Sequence, residues 1–146
     1  SVTLTGDSRI RHCAAADSGG GIFADFASAI ALKDNAAITN CSVQGLGGGI
    51  FVRMICSFTG VSRICAFRSF VTLTGDSRIA RCAAAHDGGG VYGRSGSAIA
   101  LDGSATIESC SAEHGGGIVV HTGCTVTLTG DSRIARCAAA LYGGGV

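Results

Sequence analysis

Apolar residues recur along this chain in two rhythms. Val71 and Leu73 alternate with Thr72 and Thr74, the period of two that sends one row of side chains to each face of a β-strand. Shortly after, Ile is followed three positions on by Cys, at Ile10/Cys13, Ile38/Cys41, Ile79/Cys82, Ile107/Cys110 and Ile134/Cys137. The residues between are mostly polar: Arg11 and His12, Thr39 and Asn40, Ala80 and Arg81, Glu108 and Ser109, Ala135 and Arg136. A spacing of three suits neither face of a straight strand. The pattern therefore predicts a bend that turns Ile and Cys inward while the corner between them points out. Each unit reads as three short strand segments, 71–74, 77–84 and 90–93 in the third unit, separated by Gly, Asp, Asn and Ser. No stretch of ten residues keeps helical spacing without an interrupting Gly, so no helix is predicted.

The units repeat. Gly-Gly-Gly-Ile/Val blocks stand at 19–22, 47–50, 88–91, 115–118 and 143–146, spaced 28, 41, 27 and 28 residues apart, and the Ile/Cys markers keep the rhythm 28, 41, 28 and 27. The long interval is an ordinary unit plus 13 residues, inserted between the block at 47–50 and the strand at Phe70 and Val71. Units also alternate: the first, third and fifth read Val-Thr-Leu-Thr-Gly-Asp-Ser-Arg-Ile, the second and fourth open on Ala-Ile-Ala-Leu. One unit cannot bury its own apolar face, but units wound in register stack Ile on Ile and Cys on Cys at ~4.8 Å. The prediction is an all-β fold, a parallel β-helix of about five coils of 27–28 residues with three short strands each, in one segment over 1–146. The coils are 1–29, 30–70 with the insertion near 53–69, 71–98, 99–125 and 126–146. The expected core ladder is Ile10, Cys13, Ile38, Cys41, Ile79, Cys82, Ile107, Cys110, Ile134 and Cys137. The Gly blocks supply positive φ and close backbone approach at a tight corner.

The run Ile-x-x-Cys-x-Ala followed by Gly-Gly-Gly-Ile/Val resembles the right-handed β-helix repeat of pectin-lyase-like proteins. Within that group it is most similar to the repeats of chlamydial polymorphic outer-membrane proteins and of large surface proteins of algae and protists. The resemblance covers the chain apart from the insertion. It implies a right-handed solenoid and an extracellular or cell-surface location. It does not choose an activity, because this solenoid carries polysaccharide lyases, tailspikes, adhesins and filament subunits alike.

Composition narrows the classes. The 146 residues include 24 Gly and no Pro, with 14% charged and 47% apolar residues. Low charge and an ordinary apolar fraction argue against disorder, and the lack of Pro and of a strict Gly-X-Y period excludes collagen. Eleven Lys and Arg against ten acids leave a net charge of +1, so no overall field draws nucleic acid. No apolar run approaches the roughly 18 residues of a membrane span, and membrane insertion by this segment is not expected. The chain opens at Ser1 in mid-repeat and is expected to belong to a longer polypeptide.

Catalysis on such a coil would need a non-repeating cluster of ionisable groups. None is predicted, and no catalytic residue, metal site or cofactor is expected. Asp7, Asp76 and Asp131 share one Thr-Gly-Asp-Ser turn, in which Asp caps its own backbone. His12, His86, His114 and His121 fall at different points of the unit, and only His86 and Glu113 are placed to meet. Outward Thr pairs (Thr3/Thr5, Thr72/Thr74, Thr127/Thr129) raise ice binding, but Ala31, Lys33, Ala100 and Asp102 interrupt their columns. The five ladder cysteines read as buried thiols, and the lack of close Cys-x-x-Cys pairs argues against zinc. Cys56, Cys65 and Cys124 share one corner of the coil and are the disulfide candidates, as Cys56–Cys65 or with Cys124 joined to one of them. Asn40-Cys41-Ser42 is a glycosylation sequon at Asn40.

The insertion departs furthest from the repeat, with Phe51, Phe58, Phe67, Phe70, Met54, Arg53, Arg63 and Arg68 and no acid. Such residues are enriched in buried protein interfaces. This surface is expected to meet another protein or another copy, or else to fold back over its own solenoid. The functional expectation is a structural or interaction segment of an extracellular β-solenoid, serving as filament shaft, surface coat or adhesin stalk. Its partners would be proteins or copies of itself, with carbohydrate as a further class and no nucleic acid. The alternative is a carbohydrate-binding or polysaccharide-degrading β-helix, with ice binding behind it.

Overall fold

The computed structural model of the chain describes residues 1–25, 28–53, 57–59, 62–64 and 69–146, with 57–59 and 62–64 described as backbone. The described residues form strands and turns, with no helix among them. Coil one holds β1 (Val2–Leu4), β2 (Arg9–Arg11), β3 (Ala14–Ala15) and β4 (Ile22–Ala24); coil two holds β5 (Ala29–Leu32), β6 (Ala37–Thr39), β7 (Ser42–Val43) and β8 (Ile50–Arg53). Within the insertion, β9 (Ser57–Thr59) and β10 (Ser62–Ile64) pair antiparallel. Coil three holds β11 (Phe70–Leu73), β12 (Arg78–Ala80), β13 (Ala83–Ala84) and β14 (Val91–Arg94), and coil four β15 (Ala98–Leu101), β16 (Thr106–Glu108), β17 (Ser111–His114) and β18 (Ile118–Val120). Coil five contributes β19 (Thr125–Leu128), β20 (Arg133–Ala135) and β21 (Ala138–Tyr142). Like strands stack into three five-stranded sheets and one four-stranded sheet, the walls of a parallel β-solenoid with four complete coils and part of a fifth.

Register follows the apolar columns. Ile10, Ile38, Ile79, Ile107 and Ile134 lie opposite one another in turn, as do Leu4, Leu32, Leu73, Leu101 and Leu128 on the neighbouring wall. A one-residue slip would turn every such row outward, so burial fixes the pairing. In the inner coils these rows are sealed: Leu32, Ile38, Leu73, Ile79, Leu101 and Ile107 are each 0% exposed. Full burial of an aliphatic side chain stabilises by roughly 1.5–3 kcal/mol, which makes the rows the main source of cohesion between coils. On the outer face, Thr3, Ala31, Thr72, Ala100 and Thr127 form one column, so Ala interrupts the Thr row at every second coil.

The bend between Ile and Cys divides the middle predicted segment in two, and each complete coil accordingly has four strands where three were expected. In coil three the division falls between β12 and β13. It is made by a left-handed residue at the same place in every coil: His12, Asn40, Arg81, Ser109 and Arg136, with φ between 52° and 56°. For an ordinary L-residue that conformation costs roughly 1–2 kcal/mol. The corner recovers it in two ways. It lets Ile and Cys both point inward, and its own N–H stays in the ladder, donating from Asn40 to Ala80 O (3.0 Å), from Arg81 to Glu108 O (3.0 Å) and from Ser109 to Ala135 O (3.0 Å).

The Thr-Gly-Asp-Ser turn corrects one expectation. Asp7 does not cap its own backbone; its Oδ1 accepts from Asn35 Nδ2 of the next coil at 2.6 Å, while Asp34 Oδ2 accepts from Gly6 N at 3.0 Å. The turn is stitched between coils because the residue 28 positions on lies one strand spacing away.

Candidate functional site

The sheet built from β2, β6, β12, β16 and β20 presents the corner residues to solvent. Odd coils are basic here: Arg9, Arg11 and His12 in coil one, Arg78 and Arg81 in coil three, Arg133 and Arg136 in coil five, all exposed. Coil two places Ala37, Thr39 and Asn40 at the same positions, and coil four Thr106, Glu108 and Ser109. Since register puts neighbouring coils ~4.8 Å apart, the long side chains of coils one and three stand on either side of a coil of short ones, about 10 Å from each other. The result is a groove of about 180 Å³. Arg9, Arg11 and His12 line one wall and Arg78 and Arg81 the other, with Thr39, Asn40 and Ala80 between them.

The charges of the groove are unequally satisfied. Arg9 Nη1 donates to Asn35 O at 2.6 Å and its Nη2 lies 3.8 Å from Asp7 Oδ1, which orients the guanidinium. Arg78 Nη1 lies 3.6 Å from Glu108 Oε1, on the coil away from the groove. Among the described residues, Arg11 and Arg81 pair with no carboxylate. Between coils three and five Arg78 and Arg81 face Arg133 and Arg136, but Ala135 stands where coil one has Arg11, and Glu108 stands where the first groove has Thr39 and neutralises part of the charge. Asn40, the sequon residue, is half-buried on the floor of the first groove, so a glycan attached there would fill it.

A second polar cluster joins coils three and four. His86 Nδ1 lies 3.4 Å from Glu113 Oε2, the contact expected from sequence, and beside it His114 Nδ1 lies 2.9 Å from Asp87 Oδ1. The second pair was missed although its signal was present: the offset of 27 that aligns His86 with Glu113 also aligns Asp87 with His114. On the other side the register of β17 on β21 shifts between Ala112 and His114, which brings Tyr142 opposite His114, and the two rings stack at 5.6 Å. Among the described residues no group of three or more His, Cys, Asp or Glu side chains could hold a metal ion.

Of the residues expected to form an interface, Phe51, Arg53 and Phe70 are described with their side chains. Phe51 is 3% exposed, stacked between Phe23 (5.0 Å) and Tyr92 (5.3 Å) in a column along the solenoid, and offers no free ring face to a partner. Burial pushes the Tyr92 phenol above its ordinary range. Arg53 Nη2 donates to Asp25 Oδ2 at 2.8 Å, and this hydrogen-bonded carboxylate raises the guanidinium further above its ordinary value. The acid missing from the insertion is thus supplied by the preceding coil. Phe70 is 47% exposed. Phe58 and Arg63 lie opposite each other in the backbone register of β9 and β10. Met54, Cys56, Cys65, Phe67 and Arg68 lie outside the described residues, and with them the Cys56–Cys65 pairing. Cys124 is half-buried on the turn before β19, and both of its candidate partners lie outside the described residues.

The ladder thiols are free and stand in one column inside the corner. Cys82 Sγ donates to Ala80 O at 3.4 Å and Cys110 Sγ to Glu108 O at 3.4 Å, which holds each sulfur against its own bend. Hydrogen bonding to the Cys82 sulfur, reinforced by burial, pushes the Cys41 thiol far above its ordinary range, and bonds to Cys137 and Cys82 do the same to Cys110. Cys41, Cys82 and Cys110 are each 1% exposed, so a reagent in solution does not reach their sulfurs. Iodoacetamide at pH 8 should therefore leave Cys41, Cys82 and Cys110 unmodified in the folded chain and label all three in denaturant, as read by peptide mass spectrometry. Labelling of Cys110 in the folded chain would contradict the buried column.

No protein-family model, no curated protein and no solved structure matches this chain.

Proposed function

We propose that the chain is a structural and interaction segment of a β-solenoid, working outside the cell as a filament shaft, surface coat or adhesin stalk. One observation carries this: the same apolar columns run in register from coil to coil, so each coil buries its apolar face only against its neighbours. Val2 is 38% and Leu128 42% exposed, and Ile10, Cys13, Val126, Ile134 and Cys137 are only partly buried. Strand edges that bare apolar rows invite another strand to cover them. Further coils stacked on these edges would bury the rows and complete the ladders. On coil five, a coil of the small-residue kind fits best, because an Arg-bearing one would set like charges beside Arg133 and Arg136 at ~4.8 Å. The likeness of the repeat to pectin-lyase-like and chlamydial surface-protein repeats supports the extracellular placement.

Sedimentation and electron microscopy over a range of protein and salt concentrations test the proposal. Identical copies stacking head to tail would bring coil one onto coil five, basic on basic, so rods are expected to lengthen as salt screens the arginines. Val126→Lys combined with Leu128→Lys should abolish the rods and leave the β-sheet spectrum intact. A chain that stays monomeric at every concentration and ionic strength would overturn the shaft function.

A further inference from the structure

We propose that the groove between coils one and three binds two neighbouring sulfate groups of a sulfated polysaccharide, one seated on Arg11 and His12 and the other on Arg78 and Arg81, across the Thr39 and Asn40 floor. This site lies on the flank of the rod, goes beyond the shaft function and stands without it. Arg11 and Arg81 pair with no carboxylate among the described residues, and no acid lines the groove. Their presentation is rigid. Arg11 ends β2, and Arg81 occupies the left-handed corner whose N–H is bonded to the next coil at 3.0 Å. Groups carried on strand ends hold their geometry better than groups on loops.

The chemistry of the ligand follows from spacing and from the Arg fork. The two walls are two strand spacings apart, about 10 Å, which suits anionic groups on alternate sugars of a polysaccharide. Sulfate presents three oxygens and can be shared between two guanidinium or imidazole donors, whereas a carboxylate is satisfied by a single Arg fork. Asn40 and Thr39 supply neutral donors between the two seats. A single-stranded nucleic acid is less well served. Non-specific strand binding relies on aromatic rings for base stacking, and the groove lining has none besides His12. The net charge of +1 also provides no long-range attraction for a phosphate backbone.

The repeat contains its own control. Coils three and five do not reproduce the site: Ala135 stands where coil one has Arg11, and Glu108, on the floor between them, lies 3.6 Å from Arg78. Calorimetric titration of the full chain at low salt, with a sulfated tetrasaccharide, its unsulfated counterpart, a polyuronate of equal length and a thymidine oligonucleotide, tests the site. The sulfated sugar should bind once per chain, more tightly than the other three. Arg11→Gln with Arg81→Asn should weaken it by roughly tenfold per guanidinium removed, as expected for charge-assisted hydrogen bonds. Arg81→Asn keeps a residue that tolerates the left-handed corner, and far-UV circular dichroism checks that each variant is folded. Arg94→Gln, a change at an exposed arginine outside the groove, should have no effect. Thr39→Glu should close the groove, and Glu108→Thr, which removes the carboxylate 3.6 Å from Arg78, should tighten binding with the stoichiometry still one. Unchanged binding in the double Arg variant, an equal loss in Arg94→Gln, or no response to either exchange at 39 and 108 would overturn the site. Oligonucleotide or polyuronate binding as tight as the sulfated sugar would overturn the assignment of its ligand.

Discussion

The Ile79→Asp chain is expected not to fold. Ile79 is 0% exposed, lies opposite Ile38 on one side and Ile107 on the other, and stands beside the column of thiols. A carboxylate there would meet no cation and no donor placed to receive it. An uncompensated buried charge costs several kcal/mol, and the lost methyl contacts add to that. Against a total stability of about 5–15 kcal/mol for an ordinary domain, the sum leaves little. The checks are loss of the β-sheet circular dichroism and loss of the thiol protection described above. Ile79→Val, which removes one methylene and no more, should cost about 0.5–1.5 kcal/mol and keep both signals. The same Asp at the partly buried Ile10 should be tolerated better, because water reaches the first coil. A cooperative, wild-type-like melt of Ile79→Asp would mean that the Ile column does not hold the coils together.

Gly49→Ala should be nearly as damaging for a steric reason. A Cβ at that position would lie 2.6 Å from the carbonyl oxygen of Gly90 and 2.7 Å from Ile79 Cγ2. The Gly90 oxygen cannot retreat, since it accepts from Ile50 N at 2.9 Å and from Gly49 N at 3.0 Å. Coils two and three would have to separate, and the ladder would break along the Gly corner. A loss of about 3 kcal/mol or more is expected from the denaturant midpoint. Gly6→Ala provides the contrast. Gly6 is left-handed at φ 59° but a Cβ there would meet nothing within 4 Å, so only the conformational cost, about 1 kcal/mol, should appear. Equal losses at the two sites would show that close approach is not what the block of three glycines provides.

Much of the site was hidden where the fold was open to view. The bend between Ile and Cys could be anticipated because both residues are apolar and three apart, but the left-handed residue that makes it could not: Arg81, Ser109 and Arg136 have no preference for positive φ. Tertiary context imposes that conformation to keep Ile79 and Cys82 both inside. The pairing of Arg53 with Asp25 and the stack of Phe23, Phe51 and Tyr92 were likewise out of reach of a reading confined to the insertion, since each partner lies in another coil. Asp87 and His114 could have been matched by the same offset that matched His86 to Glu113.

The sequence by itself determined the coil, its length, its inward columns and the place of the insertion. Those features leave a periodic trace because burial penalises every polar residue that enters the column. The tertiary structure decided which outward residues from different coils come together: Arg11 with Arg81 across Asn40, Glu108 with Arg78, Asp25 with Arg53. Solvent accepts almost any side chain on that face, so no hydrophobic rhythm marks these meetings, and only the register of one coil on the next makes them neighbours.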